Sequence, residues 1–331
     1  MPMTAASPLK LDPAGTTEAI ASALRTQVGE VLHRRGLVVG MSGGIDSSVC
    51  AGLAVRALGR QRVFGLFMPE RDSDPASLQL ARAYADQLGI EHTTEVITPV
   101  LEGAGCYQRR NEAIRRAVPD FNDDWKFKIV LPGSADSDRL SVFSLTYQPP
   151  GGEVKSVRLG PAEYRQIVAA TNFKQRIRAM LEYYHADRLH YAVVGTPNRL
   201  EHDQGFFVKG GDGLADLKPI AHLYKDQVYR LADYLGVPEA IRTRPSTTDT
   251  YSLPQSQEEF YFRLPLLQMD LALYAFDTGV DPASPPDWWP LSTEALERAY
   301  RDIRQKRSTT RYLHLSPLLV EHVPGVGEDA R

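Results

Sequence analysis

The sequence has little cysteine and no long apolar run. Its 331 residues include only two cysteines, Cys50 and Cys106, so neither a disulfide framework nor a cysteine-ligated zinc site is indicated. No run of about 18 apolar residues occurs, which argues against a membrane-spanning helix. The N-terminal residues lack the basic and apolar regions of a secretory signal. We therefore expect a cytoplasmic protein with no membrane partner.

The chain also lacks a marked excess of either charge. Its 38 Lys and Arg residues nearly balance its 41 Asp and Glu residues, which leaves a net charge of -3. That balance provides no global field to attract nucleic acid, so we expect no nucleic-acid partner. The eight histidines show no metal-ligand spacing. The length fits one large domain or two small ones.

Apolar segments alternate with amphipathic ones over the first hundred residues, and this rhythm returns near residue 190. The pattern predicts strands at residues 37–41, 63–68, 94–97 and 191–194. It predicts helices at residues 16–33, 47–58, 78–88, 173–184, 225–235, 257–277 and 292–306. Strands that alternate with helices in this way indicate an α/β fold with a Rossmann-like, doubly wound parallel sheet.

The alternation breaks between residues 122 and 170. This segment is rich in aromatic and β-branched residues, and its aromatic side chains are Trp125, Phe127, Phe143, Tyr147 and Tyr164. Such a composition predicts an ordered, β-rich insertion rather than a solvated linker. We predict a flexible tail at 1–15, a main domain at 16–275 that includes this insertion, and a helical C-terminal extension and tail at 276–331.

The stretch GLVVGMSGGIDSSVC, residues 36–50, ends a buried strand on glycines and hydroxyls and then begins a helix. Paired glycines let backbone N–H groups converge, and the start of the helix adds further N–H groups and a positive dipole end. The site therefore suits phosphate. Asp46 would repel bare phosphate, so it makes more sense as a ligand of an accompanying Mg2+. A tight turn with a serine N-cap accounts for only one glycine and one serine.

This stretch resembles the SGGxDS loop of the ATP pyrophosphatases, the adenine nucleotide α-hydrolase-like superfamily. The second half of the chain decides between members of that group. It contains NFKQRIRAM (172–180), VVGTPNRLEHDQGFFVKGGDGLADLKPI (193–220), LYK (223–225) and STTD (246–249). These segments resemble the motifs of the NAD synthetase family in order, over about residues 30–275, and GFFxKxGDG is the most specific of them.

The resemblance implies a role for each matched residue. Asp46, Lys225 and Thr247 would be catalytic, and Asp46 with Glu201 would hold Mg2+. The residues that would contact ATP are Gly40, Ser42, Gly43, Gly44, Ile45, Asp46, Ser47, Ser48, Thr196, Lys225 and Thr247. The residues that would line the site for deamido-NAD are Asn172, Arg176, Lys209, Gly211, Asp212, Asp216 and Lys306. Considered one at a time, Arg176 and Arg178 could lie on a solvated helix face, Glu201 could be an acid on a helix surface, and Asp216 could cap a turn.

The resemblance further implies the reaction: ATP-dependent amidation of deamido-NAD (nicotinate adenine dinucleotide) to NAD. An adenylated carboxylate would be the intermediate, and AMP and pyrophosphate would be released. No segment matches the separate amidase domain of glutamine-dependent relatives, so we expect ammonia as the nitrogen donor unless a separate glutaminase supplies it. The family also implies a homodimer, with deamido-NAD at the subunit boundary.

Three departures from the family pattern bear on the acyl substrate. The insertion lengthens the segment before Asn172, STTD replaces the P-[TS]-A-D motif, and Gln305-Lys306-Arg307 replaces a terminal H-K-R. A paralogue that adenylates and amidates a different carboxylate is therefore the alternative. A tRNA-modifying relative would need basic extensions or zinc-binding cysteines, and an inert binding protein would have lost the metal ligands.

The insertion is expected at the edge of the acyl-substrate site or across the dimer interface. The alternative is that it lies remote from the chemistry.

Overall fold

The computed structural model describes residues 7–131, 143–245, 250–262, 264–321 and 323–324. The strands of this described part are β1 (Leu37–Gly40), β2 (Val63–Phe67), β3 (Glu91–Thr94), β4 (Lys126–Val130), β5 (Ser144–Gln148), β6 (Lys155–Arg158) and β7 (Ala192–Val194). The helices are α1 (Pro13–Thr26), α2 (Ile45–Leu58), α3 (Pro75–Leu88), α4 (Thr98–Gly103), α5 (Cys106–Ala117), α6 (Pro161–Leu189), α7 (Arg199–Gln204), α8 (Lys225–Tyr234), α9 (Glu239–Arg242), α10 (Gln257–Phe260), α11 (Leu266–Asp277) and α12 (Thr293–Thr310). None of these helices is long and apolar enough to cross a membrane.

The central sheet is parallel, with strand order β3-β2-β1-β7. Successive residues of β1 point to opposite faces of the sheet. Leu37 and Val39 join a buried cluster with α1, α2, α3 and α8. Val38 joins a second cluster with α4, α5 and α6 on the other face. Because both faces are covered by helices, the predicted doubly wound α/β fold is confirmed.

The chain winds in both directions from β1. It passes to β2 and β3 on one side of β1 and returns to β7 on the other. The loops that follow β1 and β7 therefore leave the same edge of the sheet side by side. In sheets of this type, ligands bind at the carboxyl ends of the strands where the strand order reverses.

A second, antiparallel sheet of order β4-β5-β6 lies within the segment predicted to be a β-rich insertion. Its buried side chains Phe127, Ile129 and Leu145 pack against Ile114 of α5 and Ile167 of α6. Its outer strand is tied to a distant segment, because the Leu253 N–H donates to the Phe127 carbonyl over 3.0 Å. Residues 132–142, between β4 and β5, lie outside the described residues.

Several predicted element boundaries were wrong. The strand predicted at 94–97 lies at Glu91–Thr94, because this edge strand is polar and its pairing with β2, rather than an apolar pattern, defines it. The helix predicted at 173–184 is the 29-residue α6. It begins where Pro161 occupies the first helical turn and packs against two separate clusters, which obscures its period.

The two ends of the main domain also differ from the sequence pattern. The single helix predicted at 257–277 is divided into α10 and α11, and Pro265 caps the second of them. In the helix predicted at 16–33, α1 runs from Pro13 to Thr26 and continues as a short π-helix, Gln27–Val31. Ahead of α1, Leu9 is only 2% exposed and packs against α11 and α12.

Asp216 joins the loop 205–217 to the end strand β7. Its carboxylate accepts hydrogen bonds from the Val193 N–H over 2.7 Å and from the Tyr183 hydroxyl over 3.2 Å. We expect Asp216→Ala to lower the free energy of unfolding by about 1–2 kcal/mol, since both donors lose their acceptor. Urea unfolding measures this loss. Asp233→Ala, which removes an exposed ion pair with Arg242, is the control and should cost less than about 0.5 kcal/mol. Equal stability of the two variants would contradict the structural role of Asp216.

Candidate active site

The loop after β1 closes on itself through serine hydroxyl groups. The Ser47 Oγ donates to the Gly44 carbonyl over 3.1 Å, and the Ser48 Oγ donates to the same carbonyl over 2.9 Å. The Ser42 N–H in turn donates to the Ser47 Oγ over 3.3 Å. Gly44 is the N-cap of α2, so the first N–H groups of this helix have no intrahelical acceptor. The arrangement provides donors for an anion at the end of β1.

Gly43 has a left-handed conformation, with φ of +76°, and a Cβ atom there would overlap the Ser77 carbonyl of α3. The loop therefore passes between α2 and α3 with no room for a side chain. This close approach explains the first of the two consecutive glycines.

A buried cluster of one lysine and two carboxylates lies beside this loop. Asp46, in the first turn of α2, accepts a hydrogen bond from the ammonium group of Lys225, which begins α8 and is 1% exposed. The Asn198 side-chain amide donates to the other Asp46 oxygen over 3.2 Å. Burial alone would lower the pKa of Lys225, but Asp46 and Glu201 together raise it above the usual value, so the lysine stays charged.

Glu201 completes the cluster from the loop that follows β7. It lies in the first turn of α7 and forms a capping box with Asn198: its Oε2 accepts from the Asn198 N–H over 3.1 Å, and its own N–H donates to the Asn198 side chain over 3.1 Å. The Gln257 amide donates to the Glu201 Oε1 over 2.8 Å. Burial, with the nearby negative charge of Asp46, raises the pKa of Glu201 to about 7. Two carboxylates thus share one buried site, which favours an additional cation.

The donor set at this point suits a hard divalent cation. Asp46 and Glu201 offer carboxylate oxygens, the ligands that Mg2+ prefers. Among the described residues, no group of three or more His, Cys, Asp and Glu side chains is placed to hold a metal ion. The two carboxylates therefore fit a Mg2+ that takes its remaining ligands from substrate phosphates and water.

These groups line a cavity of about 790 Å³ at the carboxyl ends of the central strands. The cavity brings together ten of the residues predicted to bind ligands: Gly40, Ser42, Gly44, Ile45, Asp46, Ser47, Asn172, Thr196, Asp212 and Lys225. Glu201, predicted as a metal ligand, also lines it. The phosphate loop therefore shares one space with Asn172 and Asp212, two of the seven residues predicted to contact deamido-NAD.

Other predicted residues lie outside the cavity wall. Ser48 is buried behind the phosphate loop. Arg176 is exposed on α6, and its Nε donates to the Lys209 carbonyl over 3.3 Å. The Lys209 ammonium group donates to the carbonyls of Tyr312 and Leu315 over 2.8 and 3.1 Å. The loop that contains Lys209 is thus held between α6 and the C-terminal turn.

Gly211, Asp216 and Lys306 also do not line the cavity. Gly211 approaches α6 so closely that a Cβ atom there would lie 2.8 Å from the Gln175 Cβ. Lys306 forms an ion pair with Asp302 over 2.8 Å within α12 and donates to the Tyr261 carbonyl over 2.9 Å. Thr247 lies outside the described residues.

The structure adds cavity residues that sequence reasoning missed. Glu70 and Asp72 lie near one another after β2, and Glu70 lines the cavity together with Lys174, Arg178 and Glu182 of α6. Burial, with the charge of Asp212, raises the pKa of Glu182 to about 8. The segment PERDSD after a predicted strand was the available signal, because the carboxyl ends of parallel strands share one edge.

Comparison with known proteins supports a single family. The NAD synthase family model matches residues 16–118 and 153–283. The unmatched residues between these ranges include β4 and β5. An NH3-dependent NAD+ synthetase of Mesorhizobium japonicum is 56% identical over 321 residues, which cover 97% of this chain and 100% of that relative.

Two solved structures share the fold. An NMN synthetase from Francisella tularensis superposes with a TM-score of 0.62 at 23% identity, over 94% of this chain and 99% of that chain. An NH3-dependent NAD synthetase from Campylobacter jejuni gives a TM-score of 0.61 at 22% identity, over 94% of this chain and 100% of that one. The family model and the full-length relative together show that the chain belongs to the NAD synthase family.

Proposed function

We propose that the chain converts deamido-NAD, ATP and ammonia into NAD, AMP and pyrophosphate. The observation that carries this proposal is the cluster of Asp46, Glu201 and Lys225 beside the phosphate loop, in one cavity with Asn172 and Asp212. The relative that is 56% identical over almost the whole chain bears the name of an NH3-dependent NAD+ synthetase, which supports the same conclusion.

The chemistry requires the carboxylate to be activated before nitrogen is added. A carboxylate oxygen of the substrate attacks the α-phosphorus of ATP, and the bond from that phosphorus to pyrophosphate breaks. Ammonia then attacks the carbonyl carbon of the mixed anhydride, AMP leaves with the bonding electrons, and the added nitrogen loses a proton. Lys225 supplies a fixed positive charge beside the phosphates, which stabilises the departing pyrophosphate.

The loop after β1 orients ATP in this scheme. Its N–H groups and the hydroxyl groups of Ser42 and Ser47 are the donors for phosphate oxygens. Asp46 and Glu201 are the residues that would hold Mg2+, which supplies charge neutralisation at the phosphates when bound. Thr247 keeps its predicted catalytic role on the strength of the resemblance alone.

The acyl substrate is assigned to the part of the cavity near Asn172 and Asp212. Arg176 and Lys209, predicted to bind the same substrate, are exposed on α6 and on the loop 205–217 and contact one another. A second copy of this chain across that exposed surface would enclose the substrate, in keeping with the homodimer implied by the family. Sedimentation or light scattering of the purified protein measures the subunit number.

ATP–pyrophosphate exchange tests the proposed function and its alternative together. We expect exchange with deamido-NAD and none with other nicotinate derivatives or with aspartate, because only the correct acyl substrate is adenylated. Nicotinate mononucleotide belongs in this panel, because one structural neighbour is an NMN synthetase. NAD formation should require an ammonium salt and should not occur with glutamine. Exchange with a different carboxylate, and none with deamido-NAD, would favour the paralogue.

The metal assignment predicts the effect of two isosteric substitutions. We expect Asp46→Asn and Glu201→Gln each to lower kcat for adenylation by about 100-fold or more at millimolar Mg2+, because each removes a charged oxygen ligand. Asp86→Asn, an exposed acid that contacts His92, is the control and should leave kcat unchanged. Near wild-type turnover by both cavity variants would show that Asp46 and Glu201 do not hold the metal.

The antiparallel sheet β4-β5-β6 is proposed to form one wall of the acyl-substrate site. Phe143, which precedes β5, and Tyr164 of α6 stack with ring centroids 3.9 Å apart, and both line the cavity. On another part of the sheet, Trp125 stacks on Tyr147 at 5.7 Å, and neither ring lines the cavity. The position of Phe143 favours a functional wall over a decoration remote from the chemistry.

Alanine substitution of the two aromatic residues separates these alternatives. We expect Phe143→Ala to raise KM for deamido-NAD about fivefold or more, because it removes apolar surface from the cavity wall. KM for ATP should change less than about twofold. Trp125→Ala is the matched aromatic control and should leave both values unchanged. Identical kinetics of the two variants would leave the sheet without a role in substrate binding.

A further inference from the structure

Lys174 is fully buried in α6, and it donates to three acceptors on two other parts of the chain. Its Nζ lies 2.7 Å from the Glu70 Oε1, 2.9 Å from the Asp72 Oδ2 and 2.8 Å from the Thr250 carbonyl oxygen. An ammonium group has three protons, and all three are used here. Lys174 lines the cavity but has no proton left to offer a substrate, so it does not act as a catalytic residue.

The charges around Lys174 balance within the protein. The Arg110 guanidinium, itself buried, donates to the Asp72 carboxylate over 2.8 Å, and the Tyr107 hydroxyl donates to Glu70 over 2.7 Å. Burial opposes ionisation of Asp72, but the charges of Lys174 and Arg110 hold its pKa below the usual value. Two buried cations and two buried carboxylates therefore balance in charge without a ligand. Arg71, whose side chain is 28% exposed, adds a longer ion pair of 3.9 Å with Asp72.

A buried ion-pair network of this kind adds little to the free energy of unfolding. Removing charged groups from water costs several kcal/mol for each ion, and apolar replacements of buried ion pairs are often as stable as the pairs themselves. The network instead fixes the relative positions of the chain segments that it joins. Each acceptor fixes a direction at the Lys174 Nζ, so the backbone at Thr250 is held at a defined distance from α6.

The three segments joined at this point are three walls of the same cavity. Arg71 lies between the two carboxylates, Asn172 precedes Lys174 on α6, and Tyr251 follows Thr250, and all three line the cavity. The segment that Lys174 holds also contacts the antiparallel sheet, because the Tyr251 ring packs edge-on against Phe127 at 5.5 Å. The segment 250–253 is therefore held between α6 and β4.

We propose that Lys174 is a positioning residue that fixes the segment 250–253 as the wall of the acyl-substrate site. This inference rests on the proposed function, which assigns that part of the cavity to deamido-NAD. Without the ammonium group, Thr250 loses its bond to α6, and the wall moves relative to Asn172. The phosphate loop is held by its own serine hydrogen bonds, so we expect it to keep its shape without Lys174.

The test uses a charge-balanced double variant. K174M/E70Q removes one cation and one anion, so the remaining Arg110–Asp72 pair stays neutral and the protein is expected to fold. K174M/D72N is a second balanced variant if the first one does not fold. Arg116→Met removes an ion pair of 3.0 Å with Glu163, which joins α5 to the start of α6 away from Thr250, and is the control.

Two measurements are made on the full-length protein. Backbone hydrogen exchange of peptides that contain residues 250–253 should become about tenfold faster or more in the double variant and stay unchanged in Arg116→Met. KM for deamido-NAD should rise about tenfold, while KM for ATP changes less than about twofold. Glu70→Gln alone retains Lys174 and its bond to Thr250, so exchange at 250–253 should stay within about twofold of wild type.

The results separate failure of this inference from failure of the proposed function. Unchanged exchange at 250–253 in both double variants would overturn the positioning role, whatever the kinetics. An equal rise in KM for ATP and for deamido-NAD would also overturn it, because a general loosening of the cavity gives that result. A wild-type protein with no activity on deamido-NAD would instead refute the proposed function. Hydrogen exchange at 250–253 would still test whether Lys174 holds this segment.

Discussion

The cavity depends on the pairing of buried lysines with buried carboxylates. Lys225 balances part of the charge of Asp46 and Glu201, and Lys174 balances Glu70 and Asp72 with the help of Arg110. Carboxylates removed from water are stable only when they are paired, so each lysine permits acids to line a largely buried space. The two clusters differ in one respect. The cluster at Lys174 has as many buried cations as buried carboxylates, whereas the cluster at Lys225 has one lysine for two carboxylates, an excess that a further cation would balance.

The sheet and the phosphate loop could be predicted from sequence because their signals are local. An apolar strand, two glycines, a serine-rich turn and a helix occupy the fifteen residues from 36 to 50, and the structure places them as the pattern indicates. The position of Glu201 followed from a motif, and its meeting with Asp46 follows from the adjacency of β1 and β7. The described part of the chain brings both residues into one cavity with Lys225.

The rest depends on contacts between residues far apart in the chain. Lys174 contacts Glu70 and Thr250, which are 104 and 76 residues away in the sequence. Nothing in the local pattern around NFKQRIR indicates that this lysine joins distant segments. The position of β3 was misjudged for a related reason, since a polar edge strand is defined by its neighbour. Asp216 shows the converse. The family motif marks it for substrate, yet its carboxylate holds the N–H of Val193, a contact that only the folded chain reveals.

The length of α6 has a consequence for how the cavity can open. Its 29 residues contain no glycine and no proline after the first position, so it forms one rod of roughly 44 Å. The ring of Tyr164, near its start, stacks on the ring of Phe143, and Ala186, near its end, packs against the central sheet. A hinge within this rod is therefore disfavoured, and the antiparallel sheet cannot swing independently of the central one. We therefore expect the two sheets to keep their relative positions when a substrate enters or leaves the cavity.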